Sequence, residues 1–141
     1  MSALLPIMPG QLERWSAPRP EPVTLELAGW KVETHGPDAT FPNQRWVRFE
    51  RGGASIELMR YWDNPRSPGY PMAVDSQKQV TVSGQVTEFL TTSMFNGIAK
   101  QVKVCWLRGK GHGVEYGVRI VFEGCSDEEI EDALGRVVVA W

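Results

Sequence analysis

The chain has 141 residues, 42% of them hydrophobic and 23% charged, which excludes a disordered segment, because disordered chains carry too little apolar surface to fold. Its 14 glycines follow no three-residue period and its 2 cysteines are too few for a disulfide scaffold, so the collagenous and cystine-rich classes fall away. A net charge of −2 excludes a generally basic, phosphate-binding surface, and no apolar run approaches the roughly 20 residues of a membrane helix.

The N-terminus has no Lys or Arg ahead of a short apolar stretch broken by Pro6 and Pro9, so it does not read as a secretory signal. Cys105 and Cys125 are irregularly spaced, as free thiols of a reducing compartment would be, and a cytoplasmic location is the expectation. Seven of the ten prolines lie in the first 42 residues, and Pro18-Arg19-Pro20-Glu21-Pro22 favours an extended backbone. Residues 1–22 therefore read as an extended Pro-rich N-terminal arm, with one helical turn at 11–15, and 23–141 as a single α+β domain. The arm carries Leu4, Leu5, Ile7, Met8, Leu12 and Trp15, too many apolar groups for a solvated tail, and is expected to lie along its own domain or a neighbouring chain.

From residue 45 the pattern is antiparallel β. Segments 45–51 and 54–62 flank Gly52-Gly53, a link suited to a type I′ hairpin, with Val47 and Phe49 facing Ile56 and Leu58 on the core side. Residues 63–71 read as a loop, and 79–83 with 86–95 as one bent strand bulged at Gly84. Asn96-Gly97 is the strongest hairpin signal and leads into 98–107; the loop 108–113 then connects to 114–123. In that last strand Val114, Tyr116, Val118, Ile120 and Phe122 mark one face. Five or six strands result, with an extra short one near 23–27 or 30–33. Ser126 and Glu129 form a capping box ahead of a helix whose apolar positions are Ile130, Ala133, Leu134, Val137, Val138 and Trp141. Gly135 and the branched run 137–139 weaken its last turn.

Motifs that carry chemistry are absent. His35, Cys105, His112 and Cys125 form none of the close pairs of a zinc site, and folding strand 98–107 onto 114–123 sets Cys105 near Tyr116 instead of His112. Gly109-Lys110-Gly111-His112-Gly113 lies between strands, not before a helix, so it reads as a hairpin loop and not a phosphate loop. The densest group of carboxylates, five of the 17 (Asp127, Glu128, Glu129, Glu131 and Asp132), sits in the helix, where capping and solvation explain them. No catalytic, cofactor or metal site is expected, and the chain does not read as an enzyme.

The six tryptophans are more informative. Trp106 alternates with Val102 and Val104 and reads as core, as does Trp141. Trp46 points away from the core with Arg48, and Met59 and Tyr61 join it across the hairpin. With Trp15 and Trp62 these residues form the expected partner-binding surface, since Trp, Tyr, Met and Arg are enriched at interface centres. Residues 43–62 carry a net +2 and 108–141 a net −3, an asymmetry that orients a partner but is too small for nucleic acid.

Val80-Thr81-Val82-Ser83-Gly84 leads into long antiparallel strands, and Tyr116-Gly117-Val118-Arg119-Ile120-Val121-Phe122 into the capped helix from Ser126. Over residues 79–141 this pattern resembles the PsbP-like α/β superfamily, which includes DcrB-type bacterial proteins and the Eag chaperones of type VI secretion. A similar layout occurs in the extracytoplasmic domains of some anti-sigma factors. The resemblance implies a binding module with no catalytic residues to carry over.

The expected fold is α+β, a twisted antiparallel sheet meander with the C-terminal helix packed on one face. The expected function is a non-catalytic protein-binding or adaptor module acting through the Trp/Arg-rich sheet face and the arm. A structural subunit of a larger assembly is the alternative, and an uncharacterised enzyme comes third. Protein partners or neighbouring subunits are expected, a homo-oligomer among them, with no nucleic acid, no membrane span and no cofactor.

Overall fold

The computed structural model describes residues 22–36, 44–62, 72–95, 97–111 and 113–141. The arm up to residue 21, the helical turn at 11–15, the loop 63–71, Trp15 and His112 lie outside the described residues. So do the side chains of Trp62, Met72 and Val114.

The elements in chain order are β1 (Val23–Thr24), β2 (Lys31–His35), β3 (Gln44–Arg51), β4 (Ala54–Trp62) and β5 (Met72–Val82), followed by β6 (Gln85–Phe95), β7 (Ile98–Gly111), β8 (Val114–Glu123), helix α1 (Asp127–Arg136) and β9 (Val138–Val139). Seven strands make one sheet in the order β2-β3-β4-β8-β7-β6-β5. Every neighbouring pair is antiparallel. The sheet is therefore not one meander. It is two, β2–β4 and β5–β8, joined where β8 pairs with β4, Leu58 facing Ile120.

Turn chemistry sets the registers. Arg51 pairs with Ala54 across Gly52-Gly53. Only Gly52 has a positive φ (60°), so the φ signs are those of a type II′ turn, not the expected type I′. The type I′ signature falls instead on Ser83 (φ 50°) and Gly84 (φ 83°), where Val82 pairs with Gln85. What reads in sequence as one bulged strand is thus a hairpin, and its first strand reaches back to Met72. Phe95 pairs with Ile98 at the expected Asn96-Gly97 turn. β7 runs on through Gly109 to Gly111, so most of the expected loop is strand. Cys105 consequently faces Ile120, not Tyr116.

One sheet face is closed by α1. Phe49, Ile56, Leu58, Val82, Phe89, Cys105, Leu107, Val118, Ile120 and Phe122 pack there with Ile130, Ala133 and Val137. Each fully buried Leu, Ile or Phe among them contributes about 1.5–3 kcal/mol. The helix starts at the expected capping box: Glu129 N–H donates to Ser126 Oγ (3.1 Å), and Ser126 N–H donates to Glu129 Oε1 (2.9 Å). It ends earlier than the apolar spacing suggests. Val137 adopts an extended backbone (φ −67°, ψ 125°), and the branched residues after it form β9, which pairs with β1. Ala140 N–H donates to Pro22 O (2.7 Å), and Arg60 Nη1 donates to Val23 O (3.2 Å), so the C-terminal segment and the sheet together hold the start of the described chain.

Candidate functional site

The opposite sheet face is built of cross-strand rows. One row runs His35, Trp46, Met59, Arg119, Trp106 over β2, β3, β4, β8 and β7. The next runs Glu33, Arg48, Glu57, Val121, Val104, Leu90 from β2 to β6. Strand alternation places all these side chains on one side, because the registers across β3, β4, β8 and β7 are continuous.

Arg119 is the centre of this face. Its residue is 3% exposed. The guanidinium lies 3.6 Å from Glu57 Oε1, and Nη2 donates to Met59 Sδ at 3.9 Å. It also lies 5.4 Å from the Phe95 ring centroid and 6.0 Å from that of Trp106, within cation–π range. In a straight strand Phe95 would lie about 16 Å beyond Leu90, far from Arg119. It reaches the guanidinium because β6 is irregular between Thr92 and Met94 and β5 between Ala73 and Ser76, at the same level of the sheet. These bulges bend the hairpin tip over the face. Around the bend Thr92 and Val104 are 0% exposed, and Thr92 Oγ1 donates to Val102 O (3.1 Å).

Charges flank the row. Arg48 Nε donates to Glu50 Oε1 (2.7 Å) and stands 3.8 Å from Glu57. The hydrogen bond to Glu50 is the main reason that its guanidinium holds its proton above the ordinary arginine value.

Four of the six expected contact residues, Trp46, Arg48, Met59 and Tyr61, share this face. Two differ from expectation in exposure: Met59 is 3% and Tyr61 1% exposed, while Trp46 and Arg48 are half-buried. Trp62 occupies β4 opposite Tyr116, and Trp15 lies outside the described residues. Trp46, Tyr61, Phe95 and Arg119 each make further polar or ring contacts.

Sequence reasoning missed Arg119, Trp106 and Phe95 as members of the site. The signal was present in the alternation, since Arg119 is out of phase with Val118 and Ile120. Trp106, taken as core, lies out of phase with the helix-side residues Cys105 and Leu107.

Two other sequence candidates, Cys105 and the glycines of 109–111, lie on the helix face. Cys105 is 0% exposed, and burial pushes its thiol up to about 12. A Cβ at Gly109 would stand 2.1 Å from the Trp141 ring, and one at Gly111 2.3 Å from the Trp141 backbone, so these glycines make a notch for Trp141. Among the described residues no group of three His, Cys, Asp or Glu is placed to hold a metal ion, and no helix is long and apolar enough to cross a membrane.

No protein-family model, curated protein or solved structure matches the chain.

Proposed function

We propose that the protein is a non-catalytic binding module whose bent sheet face holds an extended apolar segment. The observation that carries this reading is the burial of Met59 (3% exposed) and Tyr61 (1%) on the face that α1 does not cover, in a setting of Trp46, Arg119 and Trp106. Aromatic and Met side chains around one paired arginine suit an extended apolar segment, for which the rings and thioether supply contact area. Residues 1–22 have the composition for that role, and the same segment of a neighbouring subunit is the other source. The resemblance of residues 79–141 to PsbP-like binding proteins points the same way. The alternative, a structural subunit of a larger assembly, draws on the exposed edge strand β2, where Val32 is 50% exposed.

The test is deletion of residues 1–22, followed by circular dichroism, light scattering after size exclusion, and titration with a synthetic peptide of residues 1–22. The expected result is a folded domain with weakened association whose tryptophan fluorescence responds to the peptide. A domain that unfolds would make the arm part of the core. A domain that folds, associates as before and ignores the peptide would end this reading.

A further inference from the structure

The two edges of the sheet differ. β5 is broken by register shifts between Ala73 and Val74 and between Val74 and Ser76, and such bulges turn an edge away from further pairing. β2 has no such device. It pairs with β3 in unbroken register from Lys31 to His35, and all five of its residues are exposed. Its side chains at Lys31, Glu33 and His35 are 72%, 52% and 64% exposed. Among the described residues no strand pairs with the outer row of β2 backbone groups, which is thus available to another strand.

The charges on β2 do not guard it uniformly, because their sign changes along the strand. An antiparallel second copy centred on Val32 sets Lys31 against Glu33 of that copy, and Glu33 against Lys31, with Val32 against Val32. A pairing centred on Glu33 sets the two Glu33 carboxylates together, which like-charge repulsion disfavours. Both registers keep the helix side of the two sheets together, as a one-residue slip would not. The Val32-centred register also covers apolar surface. Val32 is 50% exposed and borders a cleft of about 480 Å³ lined by Leu25, Leu27, Val47 and Phe49.

We propose that β2 is a self-association edge, at which two copies of this chain join antiparallel about Val32 into one continuous sheet. The interface is isologous, so each favourable Lys31–Glu33 contact occurs twice. It is small beside a standard interface of about 1,600 Å², and the dimer is expected at tens to hundreds of micromolar protein.

Sedimentation velocity on the full chain from about 10 µM to 1 mM tests this, with wild type, Lys31→Glu, Glu33→Lys and the double exchange. Each single variant turns two attractive contacts into repulsive ones and should weaken the dimer about tenfold or more. The double exchange restores opposite charges and should return within about threefold of wild type. Both substituted sites are exposed, and the three variants should share the wild-type circular dichroism spectrum. If a single variant loses it, the wild-type dimer should still weaken between low and high salt. A wild type that stays monomeric throughout, single variants that dimerise like wild type, or a double exchange as weak as the single ones would each overturn the proposal.

Discussion

Trp141 stacks on Tyr116, with ring centroids 6.0 Å apart and planes 24° from parallel. The stack exists because the strand beside Tyr116 has no side chain there: Tyr116 pairs with Gly109, and a Cβ at Gly109 would stand 2.1 Å from the indole. Gly109→Ala should therefore destabilise the protein by about 1–3 kcal/mol, as an overpacked site does. Combined with Trp141→Ala it should cost less than the sum, because removing the indole vacates the notch. Urea midpoints of the two single variants and the double variant measure this. Additive losses would show that the glycine serves something other than Trp141.

Ser126→Ala removes the hydroxyl that accepts Glu129 N–H. The expected loss is about 1 kcal/mol in urea unfolding. Ser126→Asp keeps an acceptor and should retain most of the stability.

Glu129 accepts from the Ser126 backbone N–H and from Arg51 Nη2 (3.0 Å), and these bonds hold its carboxyl below the usual carboxylate range. A folded-state value below the unfolded one means that the contribution is complete above the ordinary glutamate range and is lost as pH falls through the depressed value. The stability difference between wild type and Glu129→Gln should hold from neutral pH down to about pH 5 and narrow at lower pH. A difference that grows on acidification would contradict the assignment.

Cys105 and Cys125 are not bridged. Burial holds the Cys105 thiol at about 12, far from the thiolate that reacts. Burial and the nearby Glu129 also raise Cys125, but it is only half-buried, its Sγ donating to Ser55 O at 3.4 Å. Native protein at about pH 8 should give one slow equivalent of thiol labelling, from Cys125, and a second only in denaturant. Fast labelling of Cys105 would mean that the core between β7, β8 and α1 opens readily.

Local chemistry was legible wherever a few neighbouring residues decide the outcome. The β3–β4 register, the shared face of Trp46, Arg48, Met59 and Tyr61, and the Ser126–Glu129 box all follow from alternation and capping within short windows. Three features escaped. Ser83 at φ 50° is a non-glycine in a left-handed turn, so Ser83-Gly84 gave a weaker turn signal than Asn96-Gly97. Val137–Val139 continues a helical spacing, yet its branched side chains favour the extended backbone once Val23 offers a strand to pair with. The partner of β4 is β8, and no local pattern chooses between β8 and β5; that choice made Met59 and Arg119 neighbours and built the site.

The seam between the two meanders also bears on how the chain comes off the ribosome. Met59 and Arg119 touch across sixty residues of sequence, whereas the hairpins on either side close through two-residue turns. Hairpins form in microseconds, but a contact of that separation carries a loop-closure cost that the two-residue turns do not, so joining the halves is expected to be the slow step of folding. Until β8 has been synthesised, β4 presents Ile56 and Leu58 along an unpaired edge. The nascent β2–β4 half is then the stage most exposed to aggregation, and mutations that slow the β4–β8 closure should lower yield in cells more than they lower equilibrium stability.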